Sequence, residues 1–344
     1  MKQWRLYGII GFILLSSAYS YAWFLSAERL EQRIFKQVAL LEQEGYFFAH
    51  DGIKVSGFPF SVCVQILDPR FMASAPWSVN ISIQGPVKLQ APIFNLNKVQ
   101  VVSHERCIIN FAFLGETEEW ALKAHGLDGH FDLKSPLTDL ALTLRKPQFE
   151  ALTASQLTVA IQFKAGASLK NHYRLTLTDF NPAPLHLPHL SPTIQEIHLD
   201  VSATGPFNRE ISFEAALQEW ARNQGILEIN QSRLIWDQLK CESNGTLTVD
   251  EALQPLMAFA AEIYGLDALL EKLGDAGYIK KAVIPLVKAS LHLLKETKQS
   301  GKQVSHYHKV ALSFQDGEIF LGPIPIAKLG TFNWATLRFN NEKK

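Results

Sequence analysis

Apolar positions along this chain change period twice. Residues 6–25, LYGIIGFILLSSAYSYAWFL, contain no charged side chain. About twenty residues rising about 1.5 Å each cross a hydrocarbon core about 30 Å thick, so the run predicts a membrane-spanning helix. From Ser26 to Gly45 the apolar residues Leu30, Ile34, Val38 and Leu41 recur at helical spacing, with Glu28, Arg29, Glu31, Arg33 and Lys36 among them. That pattern predicts a helical stalk, residues 26–45, that continues the span and lays its stripe on the first strands, with Gly45 as C-cap. A helix lying on the membrane surface is the alternative, disfavoured by the mixed charges.

From Tyr46 the period falls to two. Strands are predicted from Phe47 to Val55, Ser61 to Leu67, Trp77 to Gln84, Val87 to Gln90, Lys98 to Ser103, Cys107 to Phe113, Gly129 to Leu133, Leu137 to Arg145, Gln156 to Phe163 and Tyr173 to Leu177. Short alternating segments divided by Gly, Pro, Asn and Asp indicate an antiparallel meander. Gly57, Phe58, Pro59 and Phe60 read as a sharp structural corner, because Gly is permissive and Pro fixes φ. The proline-rich stretch 181–192 is the best internal boundary, read as a long loop within one body spanning residues 46–344. Alternation resumes at Ile194 to Ala203. After a helical turn at Glu214 to Ala221 come strands Ile226 to Gln231, Ser232 to Gln238 and Thr246 to Val249, with Ser243-Asn244-Gly245 as a turn.

Helical spacing returns near the end. Leu256, Phe259, Ile263, Leu270 and Leu273 predict a helix over 251–273, and Ile284, Val287, Leu291 and Leu294 predict a second over 282–298. A hairpin follows, Lys309 to Phe314 and Glu318 to Leu321 around Asp316-Gly317, and residues 322–326 form an edge or extended cover. The expected fold is mainly β with helices (α+β). An N-terminal transmembrane helix precedes a long curved antiparallel sheet or β-groove and a C-terminal helical pair.

Flanking charge changes the picture by orienting the span. Lys2 and Arg5 make residues 1–5 basic, which keeps that end cytoplasmic and sends the body across the membrane. A cleaved secretory signal is the rival, with Ser16, Ser17 and Ala18 as its small residues. The segment stays apolar and aromatic past them through Tyr19, Tyr21, Trp23, Phe24 and Leu25, which favours an uncleaved anchor.

Composition then excludes one class of partner. Lys plus Arg number 33 and Asp plus Glu number 33, and no basic cluster stands out, so no nucleic acid is expected. With 22 Phe and 7 Trp the chain has more apolar side chains than its own core explains simply. Cys63 and Cys107 are the candidates for a bridge between neighbouring strands in an oxidising compartment, leaving Cys241 free; a bridge needs Cα atoms about 4.4–6.8 Å apart.

Candidate chemistry is sparse. The chain has no G-x-S-x-G elbow, phosphate-binding loop, H-E-x-x-H, or G-x-G-x-x-G placed between strand and helix, so neither an enzyme nor a bound cofactor is expected. His306 with His308 and His186 with His189 are pairs lacking a third donor, which favours surface or hydrogen-bonding roles over metal. Lys281, Lys288 and Lys295 recur every seven residues and would line one helical face, either solvated or facing lipid headgroups. The collective cue is stronger: many alternating strands beside a bilayer, closed in part by two helices, suit an apolar groove for acyl chains, each buried CH₂ being worth about 0.8 kcal/mol.

Taken together, the span, the short helix, Val55-Ser-Gly-Phe-Pro-Phe60, Asp68-Pro69, Trp77, Asn244-Gly-Thr-Leu-Thr-Val-Asp250 and Asp316-Gly-Glu-Ile-Phe-Leu-Gly-Pro-Ile-Pro325 resemble the bacterial domain-of-unknown-function family 2125 (DUF2125) over nearly the whole chain. The resemblance implies a Gram-negative envelope protein anchored in the inner membrane, with its body in the periplasm. The family is similar in organisation to AsmA-like proteins, whose β-groove is associated with lipid transport or outer-membrane homeostasis. It carries over no catalytic residues. The expected function is non-enzymatic binding of lipid or another hydrophobic ligand, with the phospholipid bilayer as partner. The alternative is an envelope scaffold that binds a protein through a sheet edge or the helical pair.

Overall fold

The computed structural model describes residues 2–43, 46–73, 77–113, 120–133, 139–162, 171–182, 191–205, 207, 213–275, 280–282, 284–292, 295–300, 303–321, 324–328 and 330. Two compact units emerge: residues 1–112 with 119–142, and residues 113–118 with 143–344. The chain thus divides ahead of the proline-rich stretch 181–192. Residues 183–190 of that stretch, with His186 and His189, lie outside the described residues. The strands on either side of it pair with each other, so it connects a hairpin within one sheet.

In the first unit, α1 (Lys2–Gln43) is a single helix of 42 residues with no proline to interrupt it, about 63 Å long at about 1.5 Å per residue. The expected span and stalk are therefore one rod. Trp23, Ala27, Leu30 and Ile34, separated by four, three and four residues, are buried along one face, whereas Tyr7, Phe12, Leu15 and Tyr21 are exposed. Of the stripe read from the sequence, Leu30 and Ile34 lie on this buried face, whereas Leu41 is exposed.

Its strands are β1 (Tyr46–Ala49), β2 (Gly52–Ser56), β3 (Ser61–Leu67), β4 (Arg70–Ala73), β5 (Trp77–Ile83), β6 (Pro86–Pro92), β7 (Lys98–Ser103), β8 (Cys107–Phe113), β9 (Trp120–Ala124), β10 (Leu127–Asp132) and β11 (Asp139–Arg145), the last passing into the second unit. Two antiparallel sets form. One joins β1 to β4, β4 to β5, β5 to β8 and β8 to β9. The other runs β2, β3, β6, β7, β10. Alternation buries Val62, Val64 and Ile66 of β3, Val87, Leu89 and Ala91 of β6, and Val99 and Val101 of β7 on one side.

The second unit continues with β12 (Gln148–Phe149), β13 (Leu152–Thr153), β14 (Gln156–Gln162), β15 (Asn171–Pro182), β16 (Ile194–Thr204), α2 (Phe213–Arg222), β17 (Ile226–Trp236), β18 (Leu239–Val249), β19 (Pro255–Tyr264), α3 (Leu266–Asp275), α4 (Ile284–His292), β20 (Lys295–Ser300), β21 (Gln303–Gln315), β22 (Glu318–Leu321) and β23 (Ile324–Lys328). From β14 to β19 each strand pairs antiparallel with the next, and β19 then pairs with β21. His308 is opposite both Ile263 and Lys295, which puts β20 on the other edge of β21; β22 and then β23 follow there. No pairing among the described residues returns from this end to β14, so the sheet is open.

Three local expectations are corrected. The stretch 251–273 is mostly strand: β19 fills 255–264 and only α3 is helical. Phe259 and Ile263 satisfy helical spacing, yet Met257, Phe259, Ala261 and Ile263 also alternate, and partners on both sides decide for the strand. Gly265, at φ 73°, then switches strand to helix; a Cβ there would meet the Gln238 carbonyl oxygen at 2.1 Å. The helix expected over 282–298 stops at His292, and Lys295 opens a strand. Ser243-Asn244-Gly245 lies inside β18 rather than at a turn, because all three residues pair with Ala261, Ala260 and Phe259; the turn is Asp237-Gln238, with Asp237 at φ 57°.

Candidate functional site

Alternation in the first unit brings apolar residues from both strand sets and from α1 around one cavity of about 380 Å³. Its walls include Ile66 of β3, Phe71 of β4, Ile83 of β5, Val87 and Leu89 of β6 and Val101 of β7, with Ile34, Val38 and Leu41 of α1 along one side. Tyr46 of β1 and Phe71 of β4, diagonal neighbours because Phe71 is opposite Phe48, stack at 5.5 Å and 22°. Gln37 and Glu42 of α1 are the polar lining residues besides the Tyr46 hydroxyl, and Glu42 is exposed. Leu41 and Phe47 line the cavity and are also 39% and 53% exposed, which places its mouth beside the C-terminal end of α1. A concave apolar space of this size, with few polar groups, accepts a hydrophobic ligand and offers no constellation for proton transfer.

Below the cavity, α1 is fixed by the corner between β2 and β3. Gly57, at φ 104°, lets the chain turn where a Cβ would meet the Ser61 carbonyl oxygen at 2.7 Å, and the Phe58–Pro59 bond is cis. Tyr19 donates its hydroxyl to the Pro59 carbonyl at 2.6 Å, and the Trp23 indole N–H donates to that of Ser61 at 2.8 Å. The Phe58 ring lies 5.6 Å from Trp23, edge-on, and 6.2 Å from Tyr19. Gly57, Phe58, Pro59 and Phe60 form a turn between β2 and β3, and Phe58, Pro59 and the following Ser61 contact the helix.

The second unit offers a long sheet with two unlike faces. Register places Leu175, Leu199 and Leu177, Ile197, Leu234 on one side of the sheet, followed by Leu247, Met257, Phe259 and Leu312. The opposite side is ionic. Asp200 accepts from Asn230 at 2.8 Å and from Arg174 at 3.3 Å, and His172 lies 3.6 Å away. Burial pushes the Asp200 carboxyl up, but these donors outweigh it and hold its pKa below the ordinary value. Glu242, meeting Arg233 at 3.0 Å and Lys240 at 3.1 Å, is lowered in the same balance. Tyr264 is pushed up to about 12 by burial and its hydrogen bond to Glu262, and Tyr307 to about 12 chiefly by its bond to Glu296. A polar hollow of about 470 Å³ along Asn230, Glu242, Glu262 and Lys309 belongs to this ionic face.

The remaining sequence candidates disperse. Lys281, Lys288 and Lys295 occupy a turn, α4 and β20, so they share no helical face. Each instead meets a carboxylate of α3: Asp275 at 2.7 Å, Glu271 at 2.5 Å and Asp267 at 3.7 Å. Cys63, Cys107 and Cys241 are free thiols. Cys63 on β3 faces Ser56 and Gln90, whereas Cys107 on β8 faces Ala124 in the other strand set, so the expected bridge does not form. Burial raises the Cys107 thiol to about 11. His306 is exposed beside the Thr297 hydroxyl at 3.2 Å, while His308 is buried with its Nδ1 unpartnered. Among the described residues no group of three His, Cys, Asp or Glu is arranged to hold a metal ion.

Among the described residues, α1 alone is long and apolar enough to cross a membrane, consistent with an N-terminal membrane anchor. A family model described as "Uncharacterized protein conserved in bacteria (DUF2125)" matches residues 23–329, most of the chain. No curated protein and no solved structure matches the chain.

Proposed function

We propose a function on the premise that this chain belongs to the DUF2125 family: it is a non-enzymatic protein of the bacterial inner membrane that holds a lipid or another hydrophobic ligand in the cavity of its first unit. The observation that carries the reading is the 380 Å³ apolar cavity bordered by the same helix that anchors the chain. Placing about ten CH₂ groups of an acyl chain there is worth about 8 kcal/mol before ordering costs, without any directional contact. Val38, on the cavity wall, is fifteen residues beyond Trp23, or about 22 Å along the helix axis. A ligand there has left the bilayer but remains tethered beside it, which suits a role in lipid transport or envelope homeostasis. Lys2 and Arg5 support a cytoplasmic N-terminus and a periplasmic body.

Native mass spectrometry of the full-length protein, extracted in detergent and followed by lipid extraction, tests the reading. The unaltered chain is expected to carry lipid in stoichiometric amount. Val101→Phe, which projects a ring into the cavity, is expected to lower occupancy about tenfold while the melting temperature stays within a few degrees. Equal occupancy in the folded variant overturns the cavity as the site, and a lipid-free wild-type chain overturns the function.

A further inference from the structure

We infer that the turns Gly57–Phe60 and Ile93–Asn97 enter the leaflet from which α1 emerges, giving the first unit a second contact with the bilayer. The rings of Phe60 and Phe94 are 78% and 88% exposed, and that of Phe58 is 54% exposed even after packing on Trp23 and Tyr19. The Ile93 amide donates to the Phe60 carbonyl at 3.3 Å, which joins the two turns into one tip. This tip is bound to α1 at Tyr19 and Trp23, level with the exposed rings of Tyr21 and Phe24 and continuous with the exposed apolar run that begins at Tyr7. Aromatic side chains at the end of a membrane span settle at the boundary between lipid and water.

Charge distinguishes the two ends of these strands. Neither turn contains a charged residue: one reads Gly-Phe-Pro-Phe and the other, from Pro92, Pro-Ile-Phe-Asn-Leu-Asn. At the other end, beyond Leu67, Pro86 and Ser103, are Asp68, Arg70, Glu105 and Arg106. Entry of the Phe58, Phe60 and Phe94 rings therefore desolvates no ionised residue of either turn, while the opposite end remains in water. Arg33, ten residues or about 15 Å beyond Trp23 along α1 and hydrogen-bonded to Asn97 at 2.9 Å, and Lys98, opposite Asp132, are the cations of this end that phosphate headgroups would meet. The partner is the bilayer itself, in the leaflet continuous with the anchor, and the inference stands whether or not the cavity holds a ligand.

Photocrosslinking in the full-length chain tests it. Phe60→p-benzoylphenylalanine, Phe94→p-benzoylphenylalanine and, as control at the charged end, Glu105→p-benzoylphenylalanine are reconstituted into vesicles of phosphatidylethanolamine and phosphatidylglycerol, with α1 inserted in every case. Irradiation is expected to yield phospholipid adducts at 60 and 94 about tenfold above those at 105, the ratio set by burial of an aromatic ring in lipid. Equal yields at the three positions overturn the inference. Adducts at 60 and 94 to a second copy or to another protein, without lipid, overturn it as well and assign the tip to a protein contact.

Discussion

In the first unit, β3, β6 and β7 turn every second residue toward a cavity that α1 borders; in the second, β14 to β19 turn every second residue toward a mostly apolar face of an open sheet, interrupted by the Ser232–Ser243 pair. The alternation is the same, and the cover differs. The α1 stripe from Ile34 to Leu41 closes one side of the cavity. On the sheet, α2 covers only one end, where Leu217 and Trp220 pack on Leu227 and Val249 and the Trp220 indole donates to the Thr204 carbonyl at 2.7 Å. Farther along, Tyr173 and Leu175 are 37% and 38% exposed. The second unit compensates on its other side, where rows such as Arg174–Asp200–Asn230 and Arg233–Glu242–Lys240 tie strand to strand. Period two thus specifies a face, and the element that covers the face decides between a pocket and a sheet surface.

The sharpest way to break this contrast is to remove the cover of the second unit. Trp220→Ala deletes the largest side chain of the α2 cluster and is expected to cost about 3–5 kcal/mol in chemical denaturation; a loss below about 1 kcal/mol would show that α2 does not hold its end of the sheet. Room inside the two units gives the next effect. Ala216→Leu, on the buried side of α2, is expected to cost about 1–3 kcal/mol by overpacking, whereas Val87→Leu, which faces the cavity, changes stability by less than about 0.5 kcal/mol. Equal costs would mean that the cavity wall has no spare space.

The smallest effect comes from acid. Asp200 and Glu242 have their pKa lowered from ordinary values of 3.8 and 4.5, so the stability they contribute is complete above about pH 4.5 and falls away as pH drops through the lowered values. Melting of the wild-type chain should therefore decline below pH 4, and the double variant Asp200→Asn, Glu242→Gln should decline less steeply. Parallel curves would remove the ionic rows from the account of the sheet.

Much of this architecture is readable from local chemistry. Lys98–Ser103 and Cys107–Phe113 are strands where alternation and turn residues agree, and Asp316-Gly317 makes the hairpin its dipeptide signals. The failures share a cause. Residues 255–264 fit two periods at once, and the choice belongs to β18 and β21 on either side. The short strands β4 and β9, four and five residues long, carry too few alternations to register. For the cavity, the side of each strand that faces inward depends on pairing between distant segments, so the apolar excess is visible while its enclosure is not. Likewise Phe58 reads as part of a corner, and only the approach of residues forty positions apart brings the Pro59 carbonyl to Tyr19.

The unbroken run of α1 makes it at once a spacer and an angular setting. Each residue between the Trp23 level and the cavity wall adds about 1.5 Å of height and about 100° of rotation. Because the strands are already tied to α1 at Tyr19 and Trp23, one extra turn in this segment would slide the helix beyond it about 5.4 Å along the cavity wall with its stripe facing nearly the same way, whereas two extra residues would turn that stripe about 200° away from its strands. The segment between Trp23 and Ile34, docked at both ends, is thus fixed in length as well as in the residues of its buried stripe.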